Sequence, residues 1–140
     1  MAYTRQSFIE TMMPYAQQAS ALTGVDPLVI LTQAAHESAW GNRAPGNNFF
    51  GIKGRGQSLA TTENVGGRNV STRASFRKYD TPLESFVDWA RLMTKPRYAK
   101  VLAAGTPEGQ IAALAGSGYA TDPKYGAKLR SIFGRISGRT

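Results

Sequence analysis

Residues 26–41, DPLVILTQAAHESAWG, place an acidic side chain within an apolar stretch of the chain. Asp26 followed by Pro27 favours a helix start, because the Asp oxygen accepts a hydrogen bond from an unpaired N–H and proline needs no donor there. Four consecutive apolar residues follow, and at about 100° per residue they point to nearly every side of a helix. The sequence therefore predicts a helix over residues 27–40 that is buried all round, with Glu37 close to the core.

Glu37 shares one helix face with Gln33 and Trp40, at positions i, i+4 and i+7. We expect this face to open onto a polar cleft flanked by the indole. Burial and the negative end of the helix dipole both raise the pKa of Glu37. A carboxylic acid that stays protonated near neutral pH can donate a proton to the leaving oxygen of a glycosidic bond. The alternative is a structural glutamate that accepts backbone N–H bonds from residues 42–50.

The absence of cysteine, with a single histidine at position 36, excludes several chemistries. Thiol nucleophiles, cysteine-based zinc sites and multi-histidine zinc centres all need residues that the chain lacks. A Ser-His-Asp triad would need a distant serine, because Ser38 is too close in sequence to His36. We therefore expect no metal and no organic cofactor.

Length and apolar content indicate one domain over residues 1–140. Hydrophobic residues make up 41% of the chain but form no continuous run of about 20, so no membrane insertion is expected. The N-terminal residues include acids and glutamines where a secretory signal needs an apolar stretch.

The formal net charge of +8 raises the question of a polyanionic partner. The basic residues are scattered singly, and no recognition helix or aromatic RNA-binding signature accompanies them, so we expect no nucleic acid. Two interpretations remain open, a solvated basic surface and attraction to an anionic cell wall.

Four pairs of a capping residue followed by a proline predict where helices begin along the chain. The pairs are Asp26-Pro27, Thr81-Pro82, Thr106-Pro107 and Asp122-Pro123. Helices are predicted near residues 5–22, with a kink or split at Pro14, and near 27–40, 82–94, 97–104, 107–115 and 123–136. Glycines 24, 41, 105 and 116 are expected to end helices.

Residues 51–79 have a different pattern. Residues 58–63 and 69–77 are rich in β-formers and are separated by Asn64-Val-Gly-Gly67, which predicts a hairpin. The expected fold class is α+β, mainly α, with a helical body and one small β-hairpin lobe.

Seven short blocks of sequence, in fixed order, cover nearly the whole chain. Together they resemble glycoside hydrolase family 73, the glucosaminidases that include the peptidoglycan-cutting domain of the flagellar protein FlgJ. The resemblance implies a lysozyme-like fold with a substrate groove between the helical body and the hairpin lobe. The blocks are GVDP (24–27), QAAHESAWG (33–41), NFFGIK (48–53), TTE (61–63), FRKYD (76–80), PRYA (96–99) and GYATDPKY (118–125).

The resemblance also assigns roles to single residues. It places the general acid on Glu37, a candidate second carboxylate on Glu63 and an aromatic residue of the groove floor on Tyr119. His36 and Ala39 depart from the small or aliphatic residue and the glycine that are common at those family positions. His36 is interpreted as a structural histidine, although it could tune the surroundings of Glu37.

Elimination among the nine carboxylates also narrows the choice of the second acid. Cap positions, ordinary solvated helix positions or nearness to the N-terminus account for six others, and Glu63 and Asp80 are left. The six are Glu10, Asp26, Glu84, Asp88, Glu108 and Asp122. Whether the reaction retains or inverts configuration, or uses the substrate's own N-acetyl group, stays open. In the last case Tyr119 is expected to act as a catalytic residue that positions the N-acetyl group.

Six further residues are expected to contact substrate in the groove. They are Trp40, Asn48, Phe50, Lys53, Tyr98 and Asp122. Phe49, Phe86 and Trp89 are instead expected in the core.

The expected activity is cleavage of the β-1,4 bond between N-acetylglucosamine and N-acetylmuramic acid. A muramidase or lytic transglycosylase is the alternative within the same class, and a wall-binding or assembly protein without turnover is the alternative outside it. We expect a monomer that acts on peptidoglycan glycan strands in the periplasm or at the cell wall. Without a signal peptide, delivery by phage lysis, a virion or a secretion apparatus is expected.

Overall fold

A computed structural model describes residues 2–138 of the chain as a helical body with a β-hairpin on one side. The mainly helical α+β class predicted above is confirmed. No helix within these residues is long and apolar enough to cross a membrane. In chain order the elements are α1 (Arg5–Thr23), α2 (Pro27–Ser38), β1 (Gly56–Val65), β2 (Arg68–Arg77), α3 (Pro82–Leu92), α4 (Ala99–Ala103), α5 (Pro107–Gly116) and α6 (Tyr125–Ser137), with 3₁₀ turns at Pro45–Asn47 and Pro96–Tyr98.

Helix α2 lies at the centre of the body, in contact with α1, α5 and α6. The Asp26 side chain accepts a hydrogen bond of 2.8 Å from the Leu28 N–H, as its sequence position predicts. Val29, Ile30 and Leu31 have no exposed surface. Helix α2 is therefore buried on most sides, whereas burial all round was predicted, because Leu28, His36 and Glu37 are partly exposed.

Helix α1 runs unbroken through Pro14, although a kink or a split was expected there. Its buried face packs against α2 and α3, and this apolar contact offsets the backbone hydrogen bond that Pro14 removes. Gly24 ends the helix with φ 77°, a left-handed conformation that glycine adopts without strain.

The C-terminal end of α2 differs from the prediction, because the helix stops at Ser38 instead of near Trp40. Ala39, Trp40 and Gly41 all have positive φ, of 50°, 58° and 85°. The Ser38 hydroxyl stabilises this turn by accepting the Gly41 N–H at 2.9 Å. The turn rotates Trp40 off the helix face that carries Glu37.

Helix α6 also begins later than predicted, at Tyr125 instead of Pro123. Asp122 does not cap the helix, because its side chain accepts the Lys124 N–H in a turn that precedes it. The turn places Tyr125 at the first residue of α6.

The hairpin is longer than predicted, with ten residues in each strand. Gly66 and Gly67 form the turn with φ of 58° and 86°, which suits the tight two-residue connection between antiparallel strands. Phe76, at the base of β2, is buried, whereas most of the β2 residues before it are exposed. The hairpin therefore packs on the body at its base, and near its tip the Asn64 N–H donates to the Thr121 hydroxyl at 2.9 Å.

Asp88 joins the base of the hairpin to α3, which corrects its prediction as an ordinary solvated carboxylate. It is only 6% exposed and accepts hydrogen bonds from Arg77 at 2.8 Å and from the Tyr79 hydroxyl at 2.5 Å. These two bonds, with Arg77 as an ion-pair partner, lower the pKa of Asp88 although burial raises it. The sequence pattern of α3 places Asp88 on a helix but does not show which strand residue lies opposite.

Candidate active site

A cleft with a volume of about 770 Å³ lies between the helical body and the hairpin, where the resemblance placed a groove. The end of α2 forms one wall and the hairpin forms the opposite wall. The loop of residues 118–122 and the start of α6 complete the lining. Lys53, Tyr98 and Asp122, predicted as substrate contacts, all line this cleft.

Glu37 lies in the last turn of α2 and is half-buried at the cleft wall. Burial raises its pKa to about 7, the Tyr125 hydrogen bond lowers it, and the nearby charge of Glu63 raises it further. The increase through burial agrees with the sequence prediction. Near neutral pH a substantial fraction of Glu37 therefore holds a proton.

A chain of buried hydrogen bonds orients the carboxyl group of Glu37. The indole N–H of Trp89 donates to the amide oxygen of Gln33 at 2.6 Å, which turns the Gln33 amide group toward Tyr125. Gln33 Nε2 donates to the Tyr125 oxygen at 3.0 Å, and the Tyr125 hydroxyl donates to Glu37 Oε2 at 2.9 Å. Each donor has one acceptor, so the chain fixes which carboxyl oxygen is held.

The other carboxyl oxygen, Glu37 Oε1, lies beside Gly51. A Cβ on Gly51 would stand 3.5 Å from Oε1, and the residue has φ 62°. Glycine thus both allows this backbone conformation and leaves space next to the oxygen. Oε1 is the atom that can deliver a proton into the cleft.

Glu63 lies on β1 in the opposite wall, as the predicted hairpin requires. Lys53 Nζ donates to Oε1 at 2.7 Å, and the Thr121 hydroxyl donates to Oε2 at 2.9 Å. These hydrogen bonds lower the pKa of Glu63. The cleft therefore holds one carboxyl group with a raised pKa and one with a lowered pKa, the pattern that separates an acid from a base.

Tyr119 forms part of the cleft lining. Its ring lies parallel to that of Tyr125, with centroids 6.3 Å apart, and its hydroxyl donates to the Phe50 carbonyl at 2.6 Å. Burial raises the pKa of Tyr119 well above its usual value, so the phenol stays neutral. Tyr98 stands next to it, with a centroid distance of 6.0 Å.

The cleft lining also includes His36, Asp122 and Lys128. The His36 ring meets Tyr125 edge-on at 5.4 Å, and burial together with the charge of Lys128 lowers its pKa. Asp122 is paired with Lys128 at 2.5 Å. His36 therefore packs beside the ring that holds Glu37, which is compatible with a structural role.

Two predicted substrate contacts, Phe50 and Trp40, lie away from the cleft. Phe50 is fully buried between Phe86 and Trp89, so the prediction that it contacts substrate is wrong. Trp40 packs edge-on against Phe8 and beneath the Arg5 guanidinium, because the left-handed turn after α2 redirects it.

Asn48 is 5% exposed, and most of its hydrogen bonds are to the backbone of residues 48–52. Its amide group donates to the carbonyls of Ile52 and Arg77 at 3.0 Å, and its oxygen accepts the Phe50 and Ile52 N–H groups. These bonds hold Gly51 beside Glu37. The expected cores at Phe49, Phe86 and Trp89 are confirmed.

Gln33 was placed on the helix face of Glu37 and Tyr125 within the block of residues 118–125, but no role at the site was predicted for either. The i to i+4 spacing of Gln33 and Glu37 on a buried helix was a usable signal for the first. Tyr125 had no such signal, because it meets Glu37 only through the packing of α6 on α2. Among residues 2–138, no three His, Asp or Glu side chains cluster in a way that could hold a metal ion.

The chain is similar in sequence to a family of glycosidases and to several known proteins. The family model described as mannosyl-glycoprotein endo-beta-N-acetylglucosaminidase matches residues 13–137. Peptidoglycan hydrolase FlgJ of Salmonella typhimurium is 38% identical over 94% of this chain, and exo-glucosaminidase LytG of Bacillus subtilis is 38% identical over 91%. The chain covers 46% and 50% of those two proteins, so it spans about half the length of the curated relatives it matches.

A solved structure shows the same fold. The crystal structure of a peptidoglycan hydrolase mutant from Sphingomonas sp. A1 superimposes with a TM-score of 0.86 at 33% identity, covering 96% of this chain and 97% of that one. The family match over nearly the whole chain and this lysozyme-like architecture lead to one assignment: the chain belongs to the glucosaminidase family, glycoside hydrolase family 73.

Proposed function

We propose that this chain is an endo-β-N-acetylglucosaminidase that hydrolyses the β-1,4 bond between N-acetylglucosamine and N-acetylmuramic acid in peptidoglycan. The observation that carries the proposal is the pair of carboxyl groups across one cleft, Glu37 with a raised pKa and Glu63 with a lowered one. The names of the relatives, peptidoglycan hydrolase and glucosaminidase, support the substrate. No metal or organic cofactor takes part in the proposal.

Glu37 acts as the general acid in this mechanism. Its Oε1 gives a proton to the bridging oxygen as the bond from that oxygen to the anomeric carbon of N-acetylglucosamine breaks. The positive charge that develops on the sugar ring faces the ionised Glu63. The ionised Glu37 then accepts a hydrogen bond from Tyr125 Oη, which stabilises the charge left after proton transfer.

Glu63 is proposed to stabilise that positive charge, to position the attacking water and to accept its proton as the new C–O bond forms. Lys53 and Thr121 hold both of its oxygens, so the carboxylate presents a fixed charge to the cleft. A route in which the substrate's N-acetyl oxygen attacks the anomeric carbon would depend less on this charge. The two routes therefore predict different losses of activity when Glu63 is neutralised.

Glu63→Gln is expected to lower kcat/KM on peptidoglycan by about 10²-fold, because an amide carries no negative charge to stabilise the developing cation. The measurement is release of soluble fragments from purified sacculi. Glu10→Gln, an exposed change on α1, is the matched control and should leave the rate unchanged. A loss below about threefold would remove Glu63 from the mechanism and favour attack by the N-acetyl group.

The bond that is cut can be read from the new reducing end. Sacculi are digested with the protein, reduced with borohydride and analysed by mass spectrometry. They should contain reduced N-acetylglucosamine, because the proposed reaction breaks the bond at the anomeric carbon of that sugar. Reduced muramic acid would make the protein a muramidase, and anhydro-muramic products would make it a lytic transglycosylase. Binding to sacculi without any new reducing end would instead make it a wall-binding protein.

The proposed substrate sets the place of action. Peptidoglycan lies in the periplasm or at the cell wall, so the protein is proposed to work there as a monomer, with residues 1–140 as one catalytic unit. The net charge of +8 suits an anionic polymer of this kind. Delivery through phage lysis, a virion or a secretion apparatus stays a prediction.

A further inference from the structure

A second, smaller cavity adjoins Glu37 on the side away from most of the cleft. Its volume is about 300 Å³, and it shares Glu37, Gly51 and Phe76 with the larger one. Two cavities that meet at the acid give a substrate chain room on both sides of the bond to be cut. The Glu37 carboxyl group therefore marks the border between the two sugars.

The larger cavity must take the sugar whose anomeric carbon reacts, since it contains Glu63 and Tyr119. Under the proposed function that sugar is N-acetylglucosamine. The two sugars of a peptidoglycan strand alternate, so the leaving sugar on the other side of Glu37 is N-acetylmuramic acid. The smaller cavity is where that sugar and its lactyl side chain would lie.

The lining of the smaller cavity is mainly apolar, with one cation. Pro45, Leu59, Ala60 and Phe76 contribute apolar surface, and Arg43 contributes a guanidinium group. The Arg43 side chain forms no hydrogen bond or ion pair with any other residue from 2 to 138, whereas three cations of the larger cleft, Lys53, Arg77 and Lys128, pair with acids. Its five donors are therefore available to a ligand.

We propose that this cavity recognises the leaving muramic acid by its peptide stem, with Arg43 binding a stem carboxylate. The proposal rests on the proposed function, which puts muramic acid on this side of Glu37. A short aliphatic ether and an alanine methyl group suit the apolar wall, and the acidic residues of the stem supply the carboxylate. A guanidinium group binds carboxylates through two parallel hydrogen bonds. Arg43 would then help to determine which of the two alternating bonds is cut.

The test is a double-mutant cycle between the protein and its substrate. Soluble glycan strands with stems are compared with the same strands after their carboxylates have been converted to neutral amides. Binding is measured by calorimetry in a Glu37→Gln background, so that no strand is cut. R43Q is expected to weaken binding of the native strands by about tenfold and to leave the affinity for amidated strands unchanged.

Arg135→Gln is the matched control, because Arg135 is an exposed arginine of α6 that lines neither cavity. Equal losses in the Arg43 and Arg135 variants would show general attraction to a polyanion and would overturn the proposal. A loss in R43Q that is the same for native and amidated strands would also overturn it, since the contact would then not involve a carboxylate. Strands stripped of stems, which keep only the lactyl carboxylate, should bind R43Q and its parent alike if a stem carboxylate is the ligand.

The outcome can be separated from that of the proposed function. Reducing-end analysis of wild-type digests tests the bond, and the binding cycle tests the carboxylate. A protein that releases reduced N-acetylglucosamine but shows no coupling to Arg43 would keep the proposed function and lose this inference.

Discussion

Glu37→Gln is expected to lower hydrolysis of purified peptidoglycan by at least about 10³-fold, with the fold and glycan binding retained. Glutamine is nearly the same size as glutamate, and its oxygen can still accept the Tyr125 hydroxyl. It has no acidic proton for the bridging oxygen. The loss should therefore appear in kcat, while affinity for soluble glycan strands stays within a few-fold of the wild type.

The pH profile gives a second measurement of the same group. The pKa of Glu37 is about 7, and the acid must be protonated to act, so kcat/KM of the wild type should fall about tenfold per pH unit above that value. Glu10→Gln serves again as control and should keep both the rate and this alkaline limb. Turnover by Glu37→Gln within tenfold of the wild type would transfer the acid role to another residue.

Local patterns identified the centre of this site but not its surroundings. Asp26-Pro27 and the apolar run after it predicted α2 and the burial of Glu37, because capping and helical periodicity are properties of adjacent residues. The hydrogen bond from Tyr125 joins residues 88 positions apart. Contacts of that range are decided by how helices pack, so no spacing in a single sequence reveals them.

The predictions that Trp40 and Phe50 contact substrate fail for two different reasons. Trp40 was placed on the face of Glu37 because helical periodicity was extended two residues past Ser38. Left-handed φ values at Ala39 and Trp40 end that periodicity, and such values are uncommon outside glycine, so the residue types gave no warning. Phe50 was expected to contact substrate, but its ring packs against Phe86 and Trp89, and residue type alone does not show which aromatic side chains enter the core.

The raised pKa that lets Glu37 act as an acid should also lower the stability of the folded protein at alkaline pH. The pKa of Glu37 is about 7 in the folded chain, against 4.5 for an ordinary glutamate, with burial as the largest cause. Between these two values the folded state binds more protons than the unfolded state, so stability falls as pH rises through this window. The shift corresponds to about 3 kcal/mol once pH exceeds the folded pKa.

Glu37→Gln should recover that free energy, because an amide is neutral at every pH and keeps the hydrogen bond from Tyr125. The free energy of unfolding from urea titrations should differ from the wild type by a constant amount below about pH 4. The variant should gain about 3 kcal/mol relative to the wild type as pH rises to about 8. Subtracting the two curves cancels the titrating groups that do not interact with position 37. A flat difference for Glu37→Gln would mean that the carboxyl group titrates alike in the folded and unfolded chain, and burial would then not be what makes it an acid.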